Sequence, residues 1–356
     1  MRTHPLAERG EPHVRRLNPF QHVRANHGTQ LVCYVTRRPM PTVEDLAATV
    51  RHAPAVQAKR DLALVHRLGV PLDADDGAAI AHAGEYLIVC GEAISPSLVG
   101  TDPHAAGAAA VVTNAADVRA MGGRPLGLVD MLVSPDRGHA EAVLDGIAWA
   151  SGLLGVPVVG GHLTLGHEPA LSASCTGVAT RPLRSAEARP GDTLLAAFCT
   201  DGRYRGDGLF FSSLRDRSPE ALRDDGEALV ELAEAGLCRA ARDVSMPGSA
   251  GSLLQLIEVA GCGAVLDVDR LPRPRAVPIE RWLLTFPSFG FLLAIRPESA
   301  DDAAQPFLRR GLACAPCGEF DSSGALNLVA SGRMTTVWDL AREPFTAPGG
   351  DVAQST

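Results

Sequence analysis

Apolar and polar positions along this chain repeat with two different periods, and the change of period separates helices from strands. From 42 to 68, TVEDLAATVRHAPAVQAKRDLALVHRL spaces its apolar residues three and four apart, which predicts one or two helices. Thr42 is the expected N-cap, with Asp45 at the capping-box distance. The turn-like PLDADDGAAIAH then leads into a strand, YLIVCGEAI. The helix DPHAAGAAAVVTNAADVRAM follows and stops at Gly122-Gly123. PLGLVDMLV reads as a strand and GHAEAVLDGIAWASGLLG as a helix. VPVVGGHLTL, read as a buried strand, and LSASCTGVAT complete the first half.

The turn-rich RPLRSAEARPGDT marks a boundary near 181–191, after which the alternation restarts with LLAAFCT. An acidic helix, PEALRDDGEALVELAEAG, comes next. It is followed by ARDVSMPGSAGSLLQLIEVAG, the strand GAVLDVDRL, and two apolar segments, RWLLTF and FGFLLAIR. A helix near 299–310 and strands near 325–330 close the pattern. Helices and strands alternate in both halves, so the expected fold is a two-domain α/β (α+β) protein, with domains at 41–185 and 190–340. Residues 1–40, rich in Arg, His and Pro, read as a flexible extension, and 341–356 as a flexible tail.

Composition narrows the function classes. The chain has 356 residues and is 46% hydrophobic but only 4% aromatic, which suits close-packed α/β layers. Its formal net charge of −8 gives no basic footprint for nucleic acid or a membrane surface. No apolar run is long enough to span a bilayer, and MRTHPLAERGEPHVRRLNPF lacks the apolar core of a secretory signal; the expected location is cytoplasmic. Eight scattered cysteines sit mostly in apolar runs and read as buried and reduced. Cys314 and Cys317 form one C-x-x-C, with no second pair at metal spacing.

The chemistry lies at strand ends and helix starts. Asp75 and Asp76 sit in a Gly-flanked turn, and Glu92 closes the strand after it. Asn114 and Asp117, three apart, share a helix face. Gly160-Gly161-His162-x-Thr164 ends another strand, and Asp243 and Ser245 precede a Gly/Ser-rich helix start. Carboxylates so placed suit Mg²⁺, which takes oxygen ligands and bridges phosphates, while nearby glycines let backbone amides approach those phosphates. Each element alone also has a plain reading: a solvated turn, a helix surface, a satisfied core histidine. There is no Walker A loop and no G-x-G-x-x-G after a strand.

The ordered set resembles a known family. NAADVRAMGGRPLGLVD resembles the helix–strand signature of the aminoimidazole ribonucleotide (AIR) synthetase superfamily, which includes thiamin-monophosphate kinase and selenophosphate synthetase. DADDGAAI resembles the G-D-D-A-A motif of the kinase branch, and VPVVGGHLT its G-G-D-T. ARDVSMPGSAGSLLQLIEVAGCGAVLDVD resembles its D-V-S-D-G segment, and FPSFGFLLAIRP its late E-L-L-F-T. The likeness runs from about 54 to 340 and looks strongest to an AIR synthase-related subfamily whose genes often lie beside nitrilase and radical-SAM genes.

That resemblance implies a homodimer paired through N-terminal domains, with ATP and Mg²⁺ in a cleft and phosphoryl transfer to a small-molecule oxygen acceptor. Carried over by position, Asp75, Asp76, Glu92 and Asp117 are the expected metal ligands. Asn114, Gly161, Thr164 and Asp243 are expected at the nucleotide, and Lys59 and His162 are the expected catalytic residues. Lys59 is the single lysine beside 32 arginines, at the place where selenophosphate synthetase keeps a lysine ahead of the first Asp motif. An ammonium is a compact charge that can follow a moving phosphoryl group, whereas a guanidinium binds as a fork. The pattern also departs from the kinases: His162 replaces an Asp, Met246 replaces the second Asp of D-V-S-D-G, and CGEAI replaces T-T-D. Two alternatives therefore stand beside an ATP-dependent phosphotransferase or ligase-type enzyme. One is a nucleotide-binding partner protein without turnover, the other a thiamin-monophosphate kinase-like enzyme. The substrate pocket is expected at 200–218, with Arg203 and Arg205 as candidate anion contacts.

Overall fold

The computed structural model describes residues 41–68 and 75–347. The expected flexible extension at 1–40 and the end of the expected tail, 348–356, lie outside the described residues. The chain opens with helices α1 (Val43–His52) and α2 (Pro54–Ala58), continued by a 3₁₀ stretch at Lys59–Leu68. The capping box of α1 forms: Asp45 N–H donates to Thr42 Oγ1 at 3.1 Å, and Thr42 N–H donates to the Asp45 carboxylate at 3.0 Å.

The first sheet contains β1 (Ala78–His82), β2 (Glu85–Ala93), β3 (Arg124–Ser134), β4 (Val158–Leu165) and β5 (Ala170–Ala179), in the order β1-β2-β5-β3-β4. Only β3 and β4 pair in parallel. The connections carry α3 (Pro96–Thr101), α4 (Pro103–Ala120) and α5 (Arg137–Leu154). The glycines and alanines of α4 and α5 have a packing purpose. A Cβ at Gly107 would run into the Val143 carbonyl, and one at Gly146 into the His104 carbonyl. Helix α4 stops where sequence predicts, with Gly122 at φ +72°.

The second half comprises β6 (Thr193–Phe198), β7 (Arg203–Tyr204), β8 (Phe210–Ser212), α6 (Pro219–Ala235), β9 (Cys238–Asp243), α7 (Gly248–Ala260), β10 (Gly263–Asp267), α8 (Ile279–Trp282), β11 (Phe286–Pro287), β12 (Gly290–Ile295), α9 (Ala300–Leu308), β13 (Ala313–Asp321), β14 (Ala325–Ala330) and β15 (Arg333–Asp339). Seven of these strands form a sheet ordered β15-β14-β10-β13-β6-β12-β9, and β11-β8-β7 form a small separate sheet. Strand β6 is apolar on both faces because both are covered. Leu194, Ala196 and Phe198 join the core with α7, while Leu195, Ala197 and Cys199 join that of α6 and α9. Cys314 and Cys317 lie on β13 inside this sheet, and burial pushes the Cys314 thiol up to about 12, which makes it an inert packing residue.

Three placements differ from the sequence reading. First, α1 and α2, expected in a 41–185 domain, pack into the core of the second sheet through Val43, Leu46, Val50 and Val56. Helical periodicity marks an apolar face without saying which sheet covers it. Second, 341–347 is anchored rather than free. The Glu258 carboxylate accepts from the N–H groups of Phe345 (2.6 Å), Thr346 (2.7 Å) and Ala347 (3.2 Å), and Phe345 meets Trp338 edge to face. Third, β4 is an exposed edge strand, with Val159 67% and Leu165 63% exposed. A continuous apolar run suggests burial, but among the described residues no neighbouring element covers this one.

Candidate active site

A cleft of about 1340 Å³ brings the 3₁₀ stretch, β2, α4, the end of β9 and the β7–β8 hairpin together. Its floor is a cluster of carboxylates contributed by segments far apart in sequence. Asp76 comes from the turn before β1, Asp117 from α4, and Asp243 from the last position of β9. One oxygen from each of these lies within 4.8 Å of the others. Asp76 is held from two sides: it accepts the Asp243 N–H at 2.8 Å and pairs with Arg242 Nη2 at 3.1 Å. One oxygen of Asp117, Oδ2, is buried and has no hydrogen-bond partner. A buried, unpaired carboxylate oxygen is costly unless a cation or donor completes it.

The electrostatics agree. Burial pushes the Asp117 carboxyl well above the ordinary range, and Asp243, Asp76 and Glu92 push it further. Asp243 is raised in the same way, by burial first and then by Asp76, against the pull of Arg242 and Lys59. Glu92 is raised by burial, and Lys59 opposes that rise. Five carboxylates (Asp75, Asp76, Glu92, Asp117, Asp243) thus meet two cationic side chains, Lys59 and Arg242. Three convergent carboxylates with an orphaned oxygen fit a hard divalent cation such as Mg²⁺.

The expected site residues divide into two groups. Lys59, Asp75, Asp76, Glu92, Asp117 and Asp243 all line this one cleft. Asp75, expected as a metal ligand, is turned away from the triad. Its oxygens accept from Ser185 N–H (2.6 Å) and Ser185 Oγ (2.7 Å), with Arg242 at 3.5 Å. Asp243, expected at the nucleotide, belongs to the carboxylate triad. Asn114 is buried behind the cleft: its Nδ2 donates to the Ala110 carbonyl at 2.8 Å, and Oδ1 lies 3.4 Å from Cys90 Sγ. It braces α4 and is not among the residues that line the cleft.

Gly161, His162 and Thr164 lie on exposed β4 and do not line the cleft of the single chain. Gly161 has a packing reason of its own, since a Cβ there would meet the Asp130 carboxylate. Arg203 and Arg205 line the cleft but are engaged by Asp216 and Asp102. Sequence reasoning missed Arg242, whose signal was only adjacency to Asp243. It also missed Gln255 of α7, which lines the cleft with an unpartnered Oε1. The outer wall is apolar and aromatic, with Leu98, Trp149, Phe210 and Phe286.

This cluster predicts an unusual pH dependence. Burial first, and Asp76 after it, raise the Asp75 carboxyl from 3.8 to about 6 despite Arg242. Between those values the folded chain keeps a proton on Asp75 that the unfolded chain has lost, so this group's contribution to stability falls as pH rises and levels off above about 6. Urea unfolding across this window should show that loss in the wild type, reduced in Asp75→Asn. Parallel profiles for the two proteins would contradict it.

The family model described as AIR synthase related protein, N-terminal domain, matches residues 74–179, and that of the C-terminal domain matches 207–331. An uncharacterised protein of Synechocystis sp. is 36% identical over 279 residues, covering 78% of this chain and 87% of the relative. The structure of T. maritima PurL complexed with ADP superposes with TM-score 0.69 at 21% identity, covering 84% of this chain. This chain spans only 51% of that PurL chain. AaThiL complexed with AMPPCP and TMP superposes with TM-score 0.61 at 19% identity, covering 76% of this chain and 92% of that one. These two likenesses establish a shared fold.

Proposed function

Because this chain belongs to the AIR synthase related protein family, we propose that it is an ATP- and Mg²⁺-dependent enzyme acting on a small-molecule oxygen acceptor: an amide, a carboxylate or a phosphate. The observation that carries this reading is the Asp76–Asp117–Asp243 triad, with its orphaned Asp117 oxygen, at the floor of a cleft that also holds Lys59. The PurL and AaThiL structures hold ADP and AMPPCP on the same fold, which supports an adenine nucleotide here.

In this reading the acceptor oxygen attacks the γ-phosphorus, the bond to the β-bridging oxygen breaks, and ADP leaves. Mg²⁺, when bound, neutralises phosphate oxygens beside the carboxylates. Asp76, Asp117 and Asp243 would hold it, and Arg242 fixes Asp76 in place. Lys59 follows the transferring phosphoryl group as a point charge. The apolar wall around Trp149 and Phe286 keeps water from competing as acceptor. Calorimetric titration of ATP with and without Mg²⁺ tests this directly. Micromolar, Mg²⁺-dependent binding is expected; no binding in either condition would overturn it.

The same reading includes a homodimer. Val158, Val159, Leu163 and Leu165 leave an apolar edge strand open, a surface that a second copy would cover. His162 would then stand at the subunit boundary. Val159→Lys combined with Leu163→Asp is expected to give a folded monomer by light scattering. A dimer of unchanged stability would exclude β4 as the interface.

A further inference from the structure

A second cavity, about 260 Å³, lies where the segment after β5 meets the C-terminus of α6 and the ends of β9 and β12. It shares no lining residue with the carboxylate cleft. Four arginines line it, Arg181, Arg184, Arg239 and Arg296, together with Tyr86 and the exposed Glu187.

Two of the four are accounted for within the fold. Arg239 pairs with buried Asp192 at 3.1 Å. Arg296 donates to the Gly236 carbonyl at 3.2 Å, as a cation at a helix C-terminus commonly does. Arg181 packs beside Gly236, and no carboxylate among the described residues forms an ion pair with it. Arg184 lies over the Tyr86 ring at 5.5 Å, yet its Nε is buried and has no hydrogen-bond acceptor. A buried guanidinium N–H beside a polar cavity is half of a binding interaction.

We propose that this cavity binds a small tetrahedral oxyanion of the phosphate class, either free phosphate or a compact phosphate monoester. Guanidinium forks match such anions in shape and charge, and Arg184 Nε supplies a donor that is already desolvated and unpartnered. The volume admits a phosphate or small ester and is below the usual range for a drug-sized ligand. The site also adjoins the carboxylate cluster: Arg184 is followed by Ser185, whose N–H and hydroxyl hold Asp75. The inference does not depend on the activity proposed for the larger cleft.

Calorimetry in Mg²⁺-free buffer containing a chelator tests the site, with inorganic phosphate in one arm and glycerol 3-phosphate in the other. Wild type should bind at least one of them at a single site, and the tighter arm identifies the free anion or the ester. Arg184→Gln and Arg181→Gln should each weaken binding roughly tenfold. Asp243→Asn, in the other cleft, should leave it unchanged. Circular dichroism of each variant separates lost binding from lost folding, and the two arginine substitutions check one another. Absence of binding in both arms at low ionic strength, or wild-type affinity in folded Arg184→Gln and Arg181→Gln, would overturn the proposal.

Discussion

Asp243→Asn should abolish Mg²⁺-dependent ATP binding and, in the same variant, make the metal-free protein more stable. Both effects follow from one geometry. Asp243, Asp117 and Asp76 bring carboxylate oxygens within 4.8 Å of each other in a buried site, and burial and mutual repulsion raise Asp243 and Asp117 well above the ordinary range. The folded chain therefore carries an electrostatic cost that a bound divalent cation would relieve. Asparagine keeps the shape and removes one charge. Loss of a metal-holding oxygen should weaken Mg²⁺–ATP binding at least ~10²-fold. The metal-free variant should gain about 1–2 kcal/mol, a rise of a few degrees in Tm. Calorimetry and thermal unfolding with and without Mg²⁺ give the two readings. A variant that binds Mg²⁺–ATP normally would remove the triad from the mechanism. One that loses binding and also loses stability would show that Asp243 acts mainly through the fold.

Lys59→Arg should retain Mg²⁺–ATP affinity within a few-fold while losing roughly 10²-fold or more in turnover. Lys59 is half-buried at the cleft, where its charge opposes the rise of Glu92, Asp117 and Asp243. Arginine preserves that ground-state charge, so nucleotide binding should survive. It replaces a small, mobile ammonium with a larger planar group that cannot follow the γ-phosphoryl group along the same path. The split between a nearly unchanged Kd and a reduced rate of ADP release is the diagnostic. Full turnover in Lys59→Arg would show that any cation suffices there, and would return the single lysine to chance.

The residues themselves determined a great deal about this protein. Periodicities of two and near four are local properties, and they located β2, α4, β3, α5, β6 and α6 within a residue or two. The stop at Gly122 and the cap at Thr42 were legible because turn and cap chemistry acts over three or four residues. The carboxylates of the cleft were legible as types at strand ends and helix starts. Their assembly was not, because it depends on contacts that no short window contains. Asp75 and Asp76 read as equivalent neighbours. Only the fold brings Ser185 to Asp75, 110 positions away, and leaves Asp76 to face Asp117 and Asp243. Asp243 stood out, while Arg242 beside it did not, because its function is to hold a turn 167 positions from the Asp243 amide. The apolar run at β4 looked like interior. An apolar residue requires a cover, but its own sequence does not say whether that cover is a helix of the same chain or another surface. Local chemistry thus set the elements and the kinds of groups available. Tertiary packing decided which of those groups meet, since burial and charge–charge coupling are properties of neighbours in space.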